Sequence, residues 1–478
     1  MKIALVASEA APFLKTGGLG DVMQALPASL AEMPENEVVL ILPYYGRIKR
    51  DPTVKTEFIT SFAVSLAWRQ CHVGLFRLKS RKKRLHVYFV DNEQYFDRDR
   101  IYGEGDDGER FAFFSKAVLA CLNAVSFWPD VIHCNDWQTA LIPMLLKSEY
   151  AGSFPYTRSV FTIHNVEYQG WVDQCFNMDV LGLPGEYTDV LRFGDGCNFM
   201  KSAVVMADAV TTVSETYASQ LQYPYYSHGM HQILQYYPEK LSGITNGIDM
   251  KIFDPATDPR IFANYTDANA AEGKKANKAE LQKRIGLVRD EDTAILAMVT
   301  RLVGHKGIDL LTYVADRLME RRVQLVILGT GEPQYEDYLR SLQGRYPGRM
   351  AAILQFDGGL ANLIYAASDL YLMPSKSEPC GLSQLIAMRY GTVPVVNATG
   401  GLRDTVWPYE PETQSGRGFT FQSYNGDDFL AAIDRGLALY YNEPENWDKL
   451  RRSDMRQDFS WKEPAKKYMA LFHRITGK

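Results

Sequence analysis

Short apolar, β-branched runs alternate with longer helical patterns along the whole of this 478-residue chain, and they do so in two separate series. That alternation constrains the fold most, because parallel strands need crossover connections and helices supply them. In the first series strands are read at Ile3–Val6, Val38–Leu42, Leu85–Val90, Val131–Cys134, Val160–Ile163 and Ala209–Val213. In the second they are Ile295–Val299, Leu325–Leu328, Ala352–Leu354, Leu370–Met373 and Val393–Val396. Two series predict two doubly wound α/β domains rather than one large sheet. Asn246-Gly247, Asp254-Pro255 and Asp258-Pro259 are turn signals, and a polar stretch from Thr266 to Lys278 follows, so the boundary is placed near residues 246–260. A last segment carries Tyr468, Leu471, Phe472 and Ile475 on one helical face. Ser460-Trp461-Lys462-Glu463 has the spacing of a capping box there, and Pro464 is tolerable so near a helix start.

Composition mainly excludes. Hydrophobic residues make up 46% and charged residues 23%, as in globular cores, and a net charge of −5 gives no sign of a nucleic-acid partner. Arg81-Lys82-Lys83-Arg84 sits between two apolar stretches and reads as a solvated hairpin turn rather than a polyanion patch. The opening run Met1–Val6 is too short for a signal peptide, and no stretch approaches the roughly 18 apolar residues that span a membrane. Cysteines at 71, 121, 134, 175, 197 and 380 are scattered and fit reduced thiols in a cytoplasm. His133 and Cys134 would point to opposite faces of a strand, and no strand-flanked Asp-x-Asp occurs, so no metal site is expected.

In open parallel sheets, ligands bind beyond the carboxyl ends of the strands. Ser8-Glu9, Asp136, His164-Asn165, Asn246-Gly247, Arg301, Gly329-Thr330-Gly331, Glu378 and Thr399-Gly400-Gly401 all fall at such ends, and their shared position points to a cleft between the domains. Lys15-Thr16-Gly17-Gly18-Leu19-Gly20-Asp21 follows the first strand and opens a helical pattern. Its glycines let backbone N–H groups approach an anion, yet the spacing is neither a P-loop nor a dinucleotide fingerprint. The segment reads as a diphosphate or sugar contact, which Lys15 favours, or as a tight turn with no ligand. Arg301 and Lys306, five positions apart after a buried strand, read as a clamp for a diphosphate or as an ordinary basic loop. Taken singly, His164 reads as a loop residue satisfied by backbone, Asp136 as a helix N-cap and Glu378 as helix-start electrostatics. Cys380 has no triad partner in the sequence.

Taken together and in order, these segments resemble the bacterial glycogen synthases and plant starch synthases, nearly end to end. The resemblance is carried by the Lys15–Leu19 loop, Asn135-Asp136-Trp137, Thr162–Asn165 with Tyr168-Gln169-Gly170, and Ala207–Ser214. It continues through Asn246–Asp249, the Arg301/Lys306 loop, Gly329–Gly331, Glu378–Leu382 and Thr399–Leu402. It implies a GT-B fold, with two Rossmann-like domains facing each other across a cleft. Residues 1–245 would form the acceptor-side domain, 246–459 the nucleotide-sugar-binding domain, and 460–478 a helix crossing back to the first. It implies a retaining transfer of glucose from ADP-glucose to the non-reducing end of an α-1,4-glucan, without a covalent enzyme intermediate.

On the same resemblance, Arg301 and Lys306 bind the diphosphate, and Lys15, Gly17, Gly18, Gly400 and Gly401 contact phosphate or sugar. His164, Asp136 and Glu378 surround the donor glucose, with Asn246 in the same site. Gly331, Phe356, Cys380, Gly381, Leu382 and Thr399 are the other substrate-binding positions. The partners implied are the nucleotide sugar and the glucan, with no cofactor, metal, nucleic acid or membrane; the location is the cytoplasm, or a plastid stroma for an organelle form. Some residues depart from the family pattern. Ser377 stands where an aromatic is usual, Phe356 stands near the place where the family often has a base-stacking Tyr and could stack in its stead, and Tyr226-Ser227-His228-Gly229-Met230 replaces Tyr-Gly-Glu-Gly-Leu. UDP-glucose as donor, a catalytically weak glucan-binding or priming homologue, and another acceptor are the competing readings. Lys15, His164, Arg301, Lys306 and Glu378 together favour the active enzyme.

Overall fold

The computed structural model describes residues 1–478, which form two compact units: Met1–Asn246 together with Trp461–Lys478, and Gly247–Ser460. In the first unit, a nine-stranded sheet runs in the order Leu241–Gly243, Ala209–Thr212, Arg158–Ile163, Val131–Asn135, Lys2–Val6, Glu37–Pro43, Leu85–Asp91, Arg69–Leu78, Thr56–Leu66. The strands are parallel except for the hairpin Thr56–Leu66/Arg69–Leu78 at one edge. The basic run 81–84 lies in the turn between the antiparallel strands Arg69–Leu78 and Leu85–Asp91, where all four residues are exposed. Lys2–Val6 pairs with Glu37–Pro43 on one side and Val131–Asn135 on the other, so the strand order reverses there. This reversal is the switch point at which open α/β sheets leave a crevice.

The second unit has a six-stranded, wholly parallel sheet, ordered Met350–Ile353, Val323–Leu328, Ala294–Val299, Leu370–Met373, Val393–Asn397, Phe419–Phe421. Its strands read as unbroken apolar runs because both faces are covered. Leu296, Met298, Leu325, Ile327 and Leu372 pack into one core, while Ile295, Ala297, Val326, Leu328 and Tyr371 pack into the other. The alternation is the two-residue side-chain period of a strand, and each fully buried Leu or Ile contributes about 1.5–3 kcal/mol. Here the order reverses between Ala294–Val299 and Leu370–Met373.

Three local expectations are revised. The polar stretch after Thr266 is a helix, Ala270–Ile285, preceded by a capping box between Thr266 and Asn269. It buries Lys274 and Lys278, whose ammonium groups are satisfied by carbonyls and by Asp369, 2.7 Å from Lys278 Nζ. At the last helix, Lys462–Thr476, the cap position is Trp461 with no side-chain cap bond, so the Ser460/Glu463 box does not form. Glu463 instead meets Lys466 at 2.6 Å. The expected apolar face is there: Tyr468 and Phe472 pack on the His133 ring at 5.1 and 5.9 Å between centroids. The edge hairpin and a small sheet of Trp171–Val172, Arg192–Phe193 and Gly196–Asn198 lie outside the strands read from the sequence. No helix is long and apolar enough to cross a membrane.

Candidate functional site

At the switch point of the first sheet, three strand ends converge. Asp136 leaves Val131–Asn135 with φ of 58°, a left-handed value uncommon outside glycine. That turn aims its carboxylate at the neighbouring strand end, where Oδ1 accepts the N–H groups of His164 at 2.7 Å and Asn165 at 3.3 Å. Asp136 does occupy the N-cap position of the short helix Trp137–Thr139, but its side chain makes no cap bond there and serves the neighbouring strand end instead. His164 Nε2 lies 2.9 Å from Asn135 Oδ1, and Asn135 Nδ2 donates to Val6 O at 3.1 Å, which ties the three strands together. Desolvation pushes Asp136 up to about 7, with Glu9 adding like-charge repulsion, and pushes His164 down to about 3. The His164 ring is therefore neutral; with Asn135 Oδ1 as acceptor, Nε2 carries the proton and Nδ1 remains an acceptor.

Glu9, one turn past the first strand, organises the glycine loop. Its buried carboxylate accepts from Thr16 N at 2.8 Å, Thr16 Oγ1 at 2.6 Å, Gly17 N at 3.3 Å and Gly20 N at 3.1 Å. The donors that the sequence offers to a bound phosphate are thus largely taken by an internal anion. Gly18 begins the helix Gly18–Glu32 outside these contacts, and a Cβ at Gly17 would meet nothing within 4 Å, so this side of the loop is open. Lys15 Nζ rests 2.7 Å from Asp21. Asn246 is buried, and its Oδ1 has no hydrogen-bond partner.

The second unit places its charged pair across its own switch point. Lys306, in the turn Gly304–Lys306, meets Glu378 Oε2 at 2.7 Å, and Ser375 Oγ reaches the same oxygen at 3.1 Å. Asn397 Nδ2 holds Ser375 O at 2.9 Å. Gly307 (φ 78°) closes the turn against Pro374, where a Cβ would come within 2.2 Å of the carbonyl oxygen. Glu378 is not a helix-start residue: the next helix, Ser383–Arg389, begins after Leu382, and Glu378 serves the lysine. Arg301, on the same loop, is exposed and its side chain has no partner. Gly331 bridges to Leu302 beside it and donates its N–H to Glu336 at 3.0 Å.

Gly401 N donates to Glu378 O at 3.1 Å, and its missing Cβ would sit 2.4 Å from Cys380 Cα, so the segment Glu378–Leu382 and the helix start Thr399-Gly400-Gly401 are in contact. Cys380 is buried, and Gly381 has φ of 74°. Phe356 stands apart, 90% exposed beyond the strand Met350–Ile353. The structure thus gathers Asp136, His164 and the Glu9-held loop in one unit, and Lys306, Glu378 and the Thr399–Gly401 turn in the other. Asn135, Ser375 and Asn397 were not singled out as site residues, and Glu9 was read only as one of the polar residues at strand ends, with no role given to it.

Residues 2–236 match the starch synthase catalytic domain family, and residues 280–453 match glycosyl transferases group 1. A glycogen synthase of Clostridium beijerinckii is 44% identical over 100% of both chains, and one of Streptococcus mutans is 43% identical over 100% of both. Among solved structures, the catalytic domain of starch synthase IV from Arabidopsis thaliana, bound to ADP and acarbose, superposes with a TM-score of 0.91 at 34% identity, covering 100% of this chain and 99% of that one. A sucrose-phosphate synthase from Thermosynechococcus elongatus shares the fold alone, at 20% identity and a TM-score of 0.61. Two parallel-sheet units, full-length identity to glycogen synthases and close superposition on a starch synthase lead to one conclusion: this chain belongs to the glycogen and starch synthase family of GT-B glucosyltransferases.

Proposed function

We propose that this glucosyltransferase takes its glucose from ADP-glucose and adds it, with retention, to the non-reducing end of an α-1,4-glucan. The observation that carries this reading is the Lys306–Glu378 contact at the second switch point, with Arg301 unpartnered on the same loop. In the reaction the bond between glucosyl C1 and the β-phosphate oxygen breaks, and its electron pair stays on that oxygen. Lys306 and Arg301 neutralise the charge that grows there, Lys306 exchanging part of its contact with Glu378 for the diphosphate. The acceptor 4-hydroxyl attacks C1 from the face the diphosphate leaves, and its proton passes to the departing phosphate oxygen. Atoms and charge then balance with no enzyme nucleophile and no cofactor. Neutral His164 and Asp136 bind hydroxyls of the donor glucose, and the open side of the Gly17-Gly18 loop, with Asn246 and Gly400-Gly401, takes phosphate or sugar.

ADP bound to the starch synthase IV relative supports the adenine nucleotide, and its acarbose supports a glucan acceptor. Phe356 offers an exposed ring for the base. Six free cysteines fit a reducing cytoplasm. Assaying ADP-glucose and UDP-glucose side by side with a glucan primer tests the proposal. The expected result is a higher kcat/KM with ADP-glucose and an α-linked product. Preference for UDP-glucose overturns the donor; no transfer from either by folded protein overturns the enzyme in favour of a glucan-binding homologue.

A further inference from the structure

The loop that carries Arg301 is stapled by its backbone to a second loop. Leu302 N donates to Thr330 O at 2.9 Å, Glu332 N donates to Leu302 O at 2.8 Å, and Leu302 and Gly331 form a parallel bridge. The approach is close enough to require glycine. A Cβ at Gly331 would lie 2.1 Å from Leu302 O, and one at Gly329 would lie 1.8 Å from Thr300 O. Thr300 N in turn donates to Leu328 O at 3.0 Å, and the Leu302 side chain is fully buried. Arg301 therefore sits between two anchored neighbours, with its own side chain exposed.

One end of this staple is held by a carboxylate. Gly331 N donates to Glu336 Oε1 at 3.0 Å, while Glu336 Oε2 accepts from Arg340 Nη2 at 3.0 Å. Glu336 lies in the first turn of the helix Pro333–Arg345, where a negative charge is favourable on electrostatic grounds alone. The geometry goes beyond that. In a capping box the third helical residue bonds the N–H of the cap residue. Here the cap residue is Glu332, whose N–H is already given to Leu302 O. Glu336 is the fourth helical residue and reaches past the cap to Gly331, so its bond serves the loop. A charged acceptor makes that bond stronger than a neutral one would be.

Release of Gly331 N would let the loop 329–332 turn, and Leu302 with it. A small rotation of the Thr300–Leu302 backbone is multiplied along the arginine side chain. The guanidinium would then lose its direction well before the fold lost its core. Glu332 ties the far side of the same segment, where its Oε1 accepts Gly304 N at 3.3 Å. The start of one helix thus reaches both ends of the stretch from Arg301 to Gly304.

We propose that Glu336 is a positioning residue which, through Gly331 and Leu302, sets the direction in which Arg301 leaves its loop. This rests on the reading of Arg301 as a donor to the diphosphate, and adds to it the residue that keeps that donor aimed. Glu336 touches no substrate in this role. A donor aimed in advance at charge developing on a leaving group acts on turnover, so that is where its misdirection is felt.

The test is steady-state kinetics of the full chain, with ADP-glucose and glycogen, on Glu336→Asp, Glu336→Ala and Glu336→Gln. Glu336→Asp keeps the charge at the helix start but is one methylene too short to reach Gly331 N. Glu336→Gln loses the charge but keeps an oxygen at full reach. Positioning predicts that Glu336→Asp and Glu336→Ala each lower kcat on the order of tenfold, with donor KM changed less, and that Glu336→Gln rescues it. Helix-start electrostatics predicts the reverse, with Glu336→Asp active and Glu336→Gln impaired, and that order overturns the proposal. Parental turnover in folded Glu336→Asp and Glu336→Ala overturns it as well. Glu336→Ala should add little to the loss already present in Arg301→Ala. An undiminished further loss in that background would show that Glu336 acts by another route, and so overturn it. Near-normal turnover in Arg301→Ala by itself removes instead the donor role beneath the proposal, a failure seen without any Glu336 variant.

Discussion

Lys306 Nζ and Glu378 Oε2 lie 2.7 Å apart, joining two segments 72 residues distant in sequence across the switch point of one sheet. In the proposed reaction this carboxylate would keep the ammonium aimed until the diphosphate arrives. Donors already aimed at charge that develops on a leaving group act on turnover more than on ground-state binding. Lys306→Ala and Arg301→Ala are each expected to lower kcat by about 10²–10³, with smaller changes in donor KM. If both serve one leaving group, as proposed, the double variant should lose less than the product of the single losses. Steady-state kinetics on folded variants decide this; near-normal turnover in Lys306→Ala removes the assignment.

Asp136 and His164 carry opposite pH signatures. Asp136 is pushed up to about 7 from an ordinary 3.8, so the fold prefers it protonated and loses stability as pH rises from about 4 to 7. His164 is pushed down to about 3 from 6.5, so the fold prefers it neutral and loses stability as pH falls from 6.5 towards 3. Asp136→Asn removes the first effect and keeps the second. Relative to the parent, the variant should gain stability on going from about pH 4.5 to 7.5 and retain its acid sensitivity. Parallel thermal melts at the two pH values would read this as a growing gap; a constant gap contradicts it.

Lys274 is a core cross-link rather than a surface charge. Its Nζ reaches Thr392 Oγ1 at 2.8 Å, Ala366 O and Tyr390 O at 3.1 Å, and Tyr365 O at 3.4 Å. Lys274→Met keeps the aliphatic stem but removes those bonds, leaving Tyr390 O and Ala366 O to the Tyr265 hydroxyl at 2.7 and 3.4 Å and Tyr365 O to Thr392 Oγ1 at 2.5 Å. The expected loss is about 1–3 kcal/mol, seen as a lower urea midpoint with kcat little changed. Parental stability would show that the lysine is dispensable there.

That lysine also marks where sequence reading stops. Strand cores were legible because two-sided burial writes continuous apolar runs, and Leu370–Met373 is found at the residues read. A lysine whose charge is met by carbonyls 91 to 116 residues away has no local signature, so its helix looked like a polar stretch. The Thr56–Leu66 hairpin was missed because it is an edge element, with few buried positions and a weak alternation. The site was legible as positions, since chemistry clusters at strand ends, but not as partnerships. Asp136 was readable as a polar residue after a strand. That its positive φ turns it towards His164 was not.

The glycine loop gives the last test, because Glu9 separates its two readings. The carboxylate accepts two bonds from Thr16 through Oε2, at 2.8 and 2.6 Å, and bonds from Gly17 and Gly20 through Oε1, at 3.3 and 3.1 Å. Glu9→Gln keeps size and shape but turns one acceptor into an amino group that faces N–H donors, so one pair of bonds must break. If the loop positions Lys15, Gly17 and Gly18 for substrate, kcat/KM for the donor should fall by roughly tenfold to a hundredfold, as a small misplacement does. Glycogen retention in the absence of donor should be unchanged. Burial raises the Glu9 carboxyl above its ordinary 4.5, so acid protonates it early and breaks the same bonds in the parent enzyme. The parent's kcat/KM should therefore fall on its acid limb towards that of Glu9→Gln, which lacks this ionisation and should be flatter there. A merely structural Glu9 predicts a lower melting temperature with kcat/KM and its pH profile intact. That outcome would leave the loop a tight turn with no part in binding.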